Sequence, residues 1–247
     1  TVMTNADYLK LLEPLADKII QSGVKRVEGD LIGDDSYFKS SPLPVGWEWD
    51  DLQAYYGAEV SALNILDNAV DVAVMPGSLN GPCAVQILPV NTLFTIVNRC
   101  TTTSSEVKKD LQIVKKLDRN VLEIYGTVPV GDRGTKSVVS VSRPAQLFVE
   151  MLRQVLQQKG VVITGQNKVF GFRDLQFPVS LSTTPPVELT RHESLPFSIV
   201  AARTMKPSQN MYTEVILRAL GEQVGDKTDP KTTSDRRGTE VVKSFLT

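Results

Sequence analysis

A chain of 247 residues with 41% hydrophobic and 22% charged side chains and a mean hydropathy of -0.08 can bury roughly 70% of its unfolded surface, and its composition excludes disordered, collagen-like and coiled-coil classes. No run approaches about eighteen apolar residues, so no membrane span is expected; a net charge of -1 with no Lys/Arg-rich aromatic stretch argues against nucleic acid as a partner. Two cysteines and one histidine fall short of the about four ligands that a structural zinc needs, and no metal or cofactor is expected.

The first segment reads as one helix: Thr4 is placed to cap it with Asp7 three residues on, Tyr8, Leu11, Leu12, Leu15 and Ile19 form the apolar stripe, and Gly23 ends it. Pro14 should kink or shorten it. A strand is expected over 24–32, followed by turn chemistry at Gly33-Asp34-Asp35-Ser36. Residues 40–56 read as a loop with Pro42, Pro44 and Gly46, yet carry both tryptophans, Trp47 and Trp49.

The stretch 70–141 is a succession of short β-favouring runs, first the alternating Val70, Val72 and Val74, then 84–90, 93–100, 111–117, 121–130 and 137–141, with a tight turn at Asn80-Gly81-Pro82 and a hairpin tip at Asp118-Arg119-Asn120. Cys83 and Cys100 lie in these apolar runs, where one disulfide and two free buried thiols are both open. Pro144, with Leu147, Phe148, Met151, Leu152, Val155 and Leu156 on one face and Gly160 as terminator, marks the clearest helix. Extended structure follows over 161–172, then a proline-punctuated traverse over 177–196. A further helix begins after Ser208 and ends at Gly221, and 225–238 is polar and breaker-rich, hence a mobile loop.

The sharpest local motif is Met205-Lys206-Pro207-Ser208-Gln209-Asn210-Met211-Tyr212. Taken alone, Ser208 reads as the N-cap of the following helix, and Ser78-Leu79-Asn80 shows that the Ser-x-Asn spacing also arises elsewhere. Longer segments accompany it: 29–38 (Gly29-Asp30-Leu31-Ile32-Gly33-Asp34-Asp35-Ser36-Tyr37-Phe38), 46–52 (Gly46-Trp47-Glu48-Trp49-Asp50-Asp51-Leu52), 55–63, 158–165 and 192–196. Together and in this order they resemble the class C low-molecular-weight penicillin-binding proteins, the D-alanyl-D-alanine carboxypeptidase/endopeptidases.

That resemblance implies serine acyl transfer with three motifs, S-x-x-K, S-x-N and K-T-G. By resemblance Ser208 relays a proton toward the leaving group and Asn210 holds the substrate amide and the catalytic lysine. The loop carrying Trp47, Asp50 and Tyr55 would receive the free amine of a peptidoglycan stem peptide through charge pairing and cation-π attraction. From the residues alone, the tryptophans anchor the loop and Asp50 and Asp51 cap a turn. The implied fold is mixed α/β, part of a transpeptidase/β-lactamase-like domain interrupted by an α/β domain with a small β-rich insert. On that plan 1–63 and 120–174 form the interrupting domain, 64–119 the insert and 175–247 a partial catalytic domain.

The S-x-x-K matches Ser22-Gly23-Val24-Lys25 and Ser105-Glu106-Val107-Lys108 sit at a helix stop and in a charged turn, and Lys227-Thr228-Asp229 and Lys231-Thr232-Thr233 sit in the expected loop rather than on a strand. The chain opens at Thr1-Val2-Met3 without a signal peptide and stops within an apolar pattern. The expectation is therefore an internal fragment of an exported periplasmic or cell-envelope enzyme, inactive alone, whose parent binds peptidoglycan peptides and β-lactams. Its oligomeric state is open. A non-catalytic cell-wall-binding module is the alternative. Asp34, Asp35, Glu48, Asp50 and Asp51 would supply a glycosidase pair but read more simply as solvated turn residues, and a His192-dependent hydrolase lacks a G-x-S-x-G nucleophile turn.

Overall fold

The computed structural model describes residues 3–172 and 186–247; positions 177–185 of the expected traverse lie outside them. The fold is mixed α/β. The chain divides into two compact units, one of Thr1–Tyr8, Trp47–Glu59 and Ile65–Ser142, the other of Leu9–Gly46, Val60–Asn64 and Arg143–Thr247. Residues 120–142 lie in the β-rich unit, and 143–172 lie in the unit that holds 186–247.

The first unit is built on two three-stranded sheets. In one, β3 (Ala69–Met75) is central between β4 (Ala84–Leu88) and β8 (Thr135–Ser140), both antiparallel to it. In the other, β7 (Val121–Pro129) lies between β5 (Thr95–Thr103), which is parallel, and β6 (Asp110–Lys115), which is antiparallel. The hairpin expected around residue 119 is the β6–β7 connection, and the turn at residue 81 closes with the Gly81 amide on the Ser78 carbonyl at 2.8 Å. Alternation sends Val70, Val72, Val74, Leu122, Ile124 and Val128 into the core. Cys83 and Cys100 form a disulfide, with Cα atoms 5.4 Å apart.

At the start of the chain one expected helix is two. α1 (Asn5–Leu9) follows Thr4, whose amide and hydroxyl both donate to Asp7 Oδ2, at 2.9 and 2.7 Å. A 3-10 turn at Lys10–Leu12 intervenes, and α2 (Glu13–Gln21) restarts with Pro14 in its first turn. A proline has no N–H for a helix interior but costs nothing at the first turn, so the break falls there.

In the second unit the strand expected over 24–32 is split at Gly29, φ 129°, into β1 (Arg26–Val27) and β2 (Leu31–Asp35). Each pairs in parallel with a distant strand, β1 with β9 (Val162–Ile163) and β2 with β10 (Asn167–Gly171). α3 (Pro144–Gln158) packs on β2 and β10. The approach is closest at Gly33, where a Cβ would stand 2.6 Å from Val149 Cγ2, so the glycine sets the helix-to-sheet distance.

Three helices complete this unit: α4 (Phe197–Met205), α5 (Asn210–Gln223) and α6 (Ser234–Leu246). The expected loop over 225–238 is thus a loop only to Thr233. Gly221 does not end α5 but lies inside it, because α5 and α6 meet there: a Cβ on Gly221 would overlap the Ser234 carbonyl, and one on Gly238 the Leu217 carbonyl. Among the described residues no helix is long and apolar enough to cross a membrane.

A candidate active-site corner

Ser208 is not the cap of α5. Gln209 takes that position with φ -78° and ψ 106°, without a side-chain capping hydrogen bond. Ser208 stands one residue earlier with φ 58°, in the left-handed region. The Gln209 amide donates back to the Thr204 carbonyl at 2.9 Å, five residues upstream, and that bond together with a left-handed residue before it is the Schellman termination of α4. Glycine is the usual occupant there; a serine costs roughly 1–2 kcal/mol in this conformation. Strain of this kind concentrates at functional sites.

The corner is therefore made of two helix ends sharing Gln209, which closes α4 and opens α5. Thr204 beneath it is buried, its hydroxyl donating to the Val200 carbonyl at 2.9 Å, and Met211 is buried on the α5 side. Ser208 and Asn210 are both exposed. Among the described residues the Ser208 hydroxyl and the Asn210 amide make no side-chain hydrogen bond within the chain, so both polar groups face outward on a fixed backbone.

The residues that fix α5 were not singled out in the sequence. Arg218, 1% exposed, lies one turn below Glu214, with Nε 3.6 Å from Glu214 Oε2. Burial pushes the guanidinium down and the Glu214 carboxyl up. Asp235 of α6 and Asp35 of β2 also attract Arg218. Each is tied elsewhere: Asp235 accepts from the Ser40 hydroxyl at 2.5 Å, and Asp35 accepts from the Ser61 hydroxyl at 2.7 Å and the Ala62 amide at 2.6 Å. Arg237 and Glu222 form a second buried pair at 3.1 Å. The sequence signal was the Glu-x-x-x-Arg spacing on the inner face of α5.

Trp47, Asp50 and Tyr55 belong to the other unit, on Trp47–Glu59. Trp47 is half-buried, while Asp50 and Tyr55 are exposed. The anchor is not the one expected from the residues: Trp49 is 71% exposed, and Asp50 precedes a 3-10 turn without capping it through its side chain. Backbone and polar contacts hold the segment instead. The Ser140 hydroxyl donates to the Leu52 carbonyl at 2.5 Å, Gln53 Oε1 accepts from the Lys115 amide at 3.1 Å, and Ala54 bridges to Val139. Lys115 is itself buried, its ammonium donating to the Ser142 hydroxyl at 2.9 Å, and burial lowers its pKa. Tyr55 packs edge-on against Tyr56, ring centroids 5.4 Å apart.

The remaining motif matches occupy turns. Ser22 follows α2 with its hydroxyl on the Ile19 carbonyl at 2.6 Å, and Ser105 sits in the β5–β6 connection. Lys227-Thr228-Asp229 and Lys231-Thr232-Thr233 lie between α5 and α6, off any strand. Ser78-Leu79-Asn80 lies between β3 and β4.

The D-alanyl-D-alanine carboxypeptidase of Actinomadura sp. (strain R39) is 26% identical over 218 residues, 86% of this chain and 39% of that protein. DacB of Haemophilus influenzae (strain ATCC 51907 / DSM 11121 / KW20 / Rd), a D-alanyl-D-alanine carboxypeptidase, is 25% identical over 239 residues, 95% of this chain and 46% of its own. The crystal structure of penicillin binding protein 4 (dacB) from Haemophilus influenzae superposes with a TM-score of 0.72 at 20% identity, covering 96% of this chain and 50% of that one. The same protein complexed with a β-lactam superposes with a TM-score of 0.61 at 18% identity, over 96% and 47%. The chain thus spans half or less of the length of these relatives. Residues 2–247, nearly the whole chain, match one family model, and the chain belongs to the D-Ala-D-Ala carboxypeptidase 3 (S13) family.

Proposed function

We propose that the chain is part of a longer serine-type D-alanyl-D-alanine carboxypeptidase/endopeptidase that cuts peptidoglycan stem peptides through an acyl-enzyme. Ser208 relays the proton to the leaving amine, and Asn210 holds the substrate amide. The observation that carries this reading is the left-handed Ser208, a strained position whose hydroxyl is not spent on capping a helix. None of the S-x-x-K matches, at Ser22, Ser36 and Ser105, opens a helix, so the nucleophile is supplied from elsewhere in the parent, as is the K-T-G strand. Trp47, Asp50 and Tyr55 form the specificity loop for the stem-peptide amine. On the family plan, 1–63 with 120–174 is the accessory domain, 64–119 its insert and 175–247 the catalytic part.

The compartment we assign is the periplasm or cell envelope. The Cys83–Cys100 disulfide supports it, since such bonds persist in oxidising environments. The parent's ligands are then peptidoglycan peptides and β-lactams.

The test is covalent labelling with a fluorescent penicillin. The full-length parent labels stoichiometrically and releases D-Ala; the 247 residues alone do neither. Labelling of the isolated chain at Ser22 or Ser105 would overturn the assignment. A parent that binds peptidoglycan without labelling or releasing D-Ala is a non-catalytic wall-binding module instead.

A further inference from the structure

The outer face of the β4–β3–β8 sheet carries a cleft of about 410 Å³, bordered by Tyr8, Asp71, Ala73, Gln86, Leu88 and Lys136 among others. That volume lies in the range of small-ligand sites, which pair apolar walls with a few converging polar groups. The register explains its shape. Leu88, Asp71 and Val138 form one cross-strand row, and Gln86, Ala73 and Lys136 form the next. The small Ala73 leaves a hollow between long neighbours, and Leu88 and Val138 make its apolar sides.

One of its polar groups is set before any ligand arrives. Tyr8, 5% exposed, donates its hydroxyl to the Asp71 carboxylate and so orients it. Asp71 and Lys136 are diagonal neighbours, a relation that puts backbone positions about 7–8 Å apart, and no ion pair joins them. Among the described residues the Lys136 ammonium has no acidic partner and the Gln86 amide no hydrogen bond. A carboxylate and an ammonium carried on separate strand positions across an apolar floor complement a molecule with the opposite charges at a similar separation. An extended dipeptide spans about 7 Å; a free amino acid is shorter.

We propose that this cleft binds a short zwitterionic peptide, its ammonium on Asp71, its carboxylate on Lys136, its amide against Gln86 and its small side chains over Ala73 between Leu88 and Val138. The site shares no lining residue with the Ser208 corner or the Trp47–Glu59 loop, and it does not depend on the catalytic reading.

The experiment is an amide-resolved NMR titration of the chain with zwitterionic alanyl-alanine, repeated with N-acetyl-alanyl-alanine amide, which has neither charge. Saturable shifts at Tyr8, Ala73, Gln86 and Lys136 are expected with the first peptide and not with the second. Asp71→Asn and Lys136→Met, both at exposed positions and checked for native spectra, should each weaken binding about tenfold or more, the worth of a charge-assisted hydrogen bond. No saturable shift at these residues, equal shifts with the blocked peptide, or binding unchanged in both variants would each overturn the proposal. Because the readout needs no D-Ala release, loss of the catalytic assignment would leave it standing.

Discussion

Gly238 of α6 faces the Leu217 carbonyl of α5 so closely that a single methyl group would overlap it. The two helices are seated through their backbones, and the buried Arg218 and Glu222 side chains lie alongside. Gly238→Ala should destabilise the second unit by about 1–3 kcal/mol, the usual cost of overpacking. Thermal unfolding measures it; a variant that melts with the wild type would mean that the helices separate freely.

Replacing Ser208 separates strain from chemistry. No capping bond is lost, so Ser208→Ala should change stability by less than about 0.5 kcal/mol, instead of the about 0.5–2 kcal/mol of a lost cap. Ser208→Gly should match or exceed wild-type stability, since only glycine holds φ 58° without penalty. Both should lower turnover of the full-length enzyme by about 10² to 10⁴ if the hydroxyl moves a proton. Turnover within a few-fold of wild type in the glycine variant would show that the conformation alone matters.

Asp50 is exposed on a segment held by backbone contacts, so Asp50→Asn should leave folding untouched. In the full-length enzyme it should depress kcat/KM for stem peptides with a free side-chain amine and spare those in which the amine is acetylated. Equal loss on both would make Asp50 a holder of the loop. Equal retention on both would remove it from substrate selection.

The Tyr8 phenol gives a pH signature. Burial, then the hydrogen bond and charge of Asp71, push its pKa from 10.0 up to about 12. The folded value lies above the unfolded one, so this contribution to stability is whole below pH about 10 and is lost as pH rises toward 12. Phenolate absorbance should show one tyrosine titrating last, and Tyr8→Phe should abolish both that step and its share of the alkaline loss. A single common step for all tyrosines in the wild type would refute the buried contact.

Much of the fold was legible wherever one periodicity ruled a segment. Pro144 opened α3 as its position required, and the alternating valines of β3 fell as expected. The errors lie where a long-range contact overrode a local signal. Glycine and polar residues over 225–238 suggested a loop, but Gly238 is small so that α6 can touch α5, a requirement set by a helix elsewhere in the chain. Similarly, Ser208 before a helix suggests a cap, and only the Gln209 bond to Thr204 assigns it to the preceding helix. In the β unit, short runs do not state their partners, and nothing local indicated that β5 pairs in parallel with β7. The Ser-x-Asn motif was readable as a motif. The charges that hold its helix were not, because Asp35 and Asp235 are distant in sequence and meet Arg218 only in the folded chain.

The parallel pairing of β2 with β10 joins Leu31 to Asn167, and it governs the order in which parts of this protein can fold. Most of the β-rich unit lies between those two strands and closes largely on neighbouring segments, so it can form first. The other unit must hold its early strands unpaired until residues 162–171 arrive, and α5 cannot be seated until α6 has followed. Contacts of such separation are slow to form and leave strand edges exposed meanwhile. The disulfide, spanning 17 residues inside the early unit, can close before any of that, so oxidation need not wait for the corner that carries Ser208.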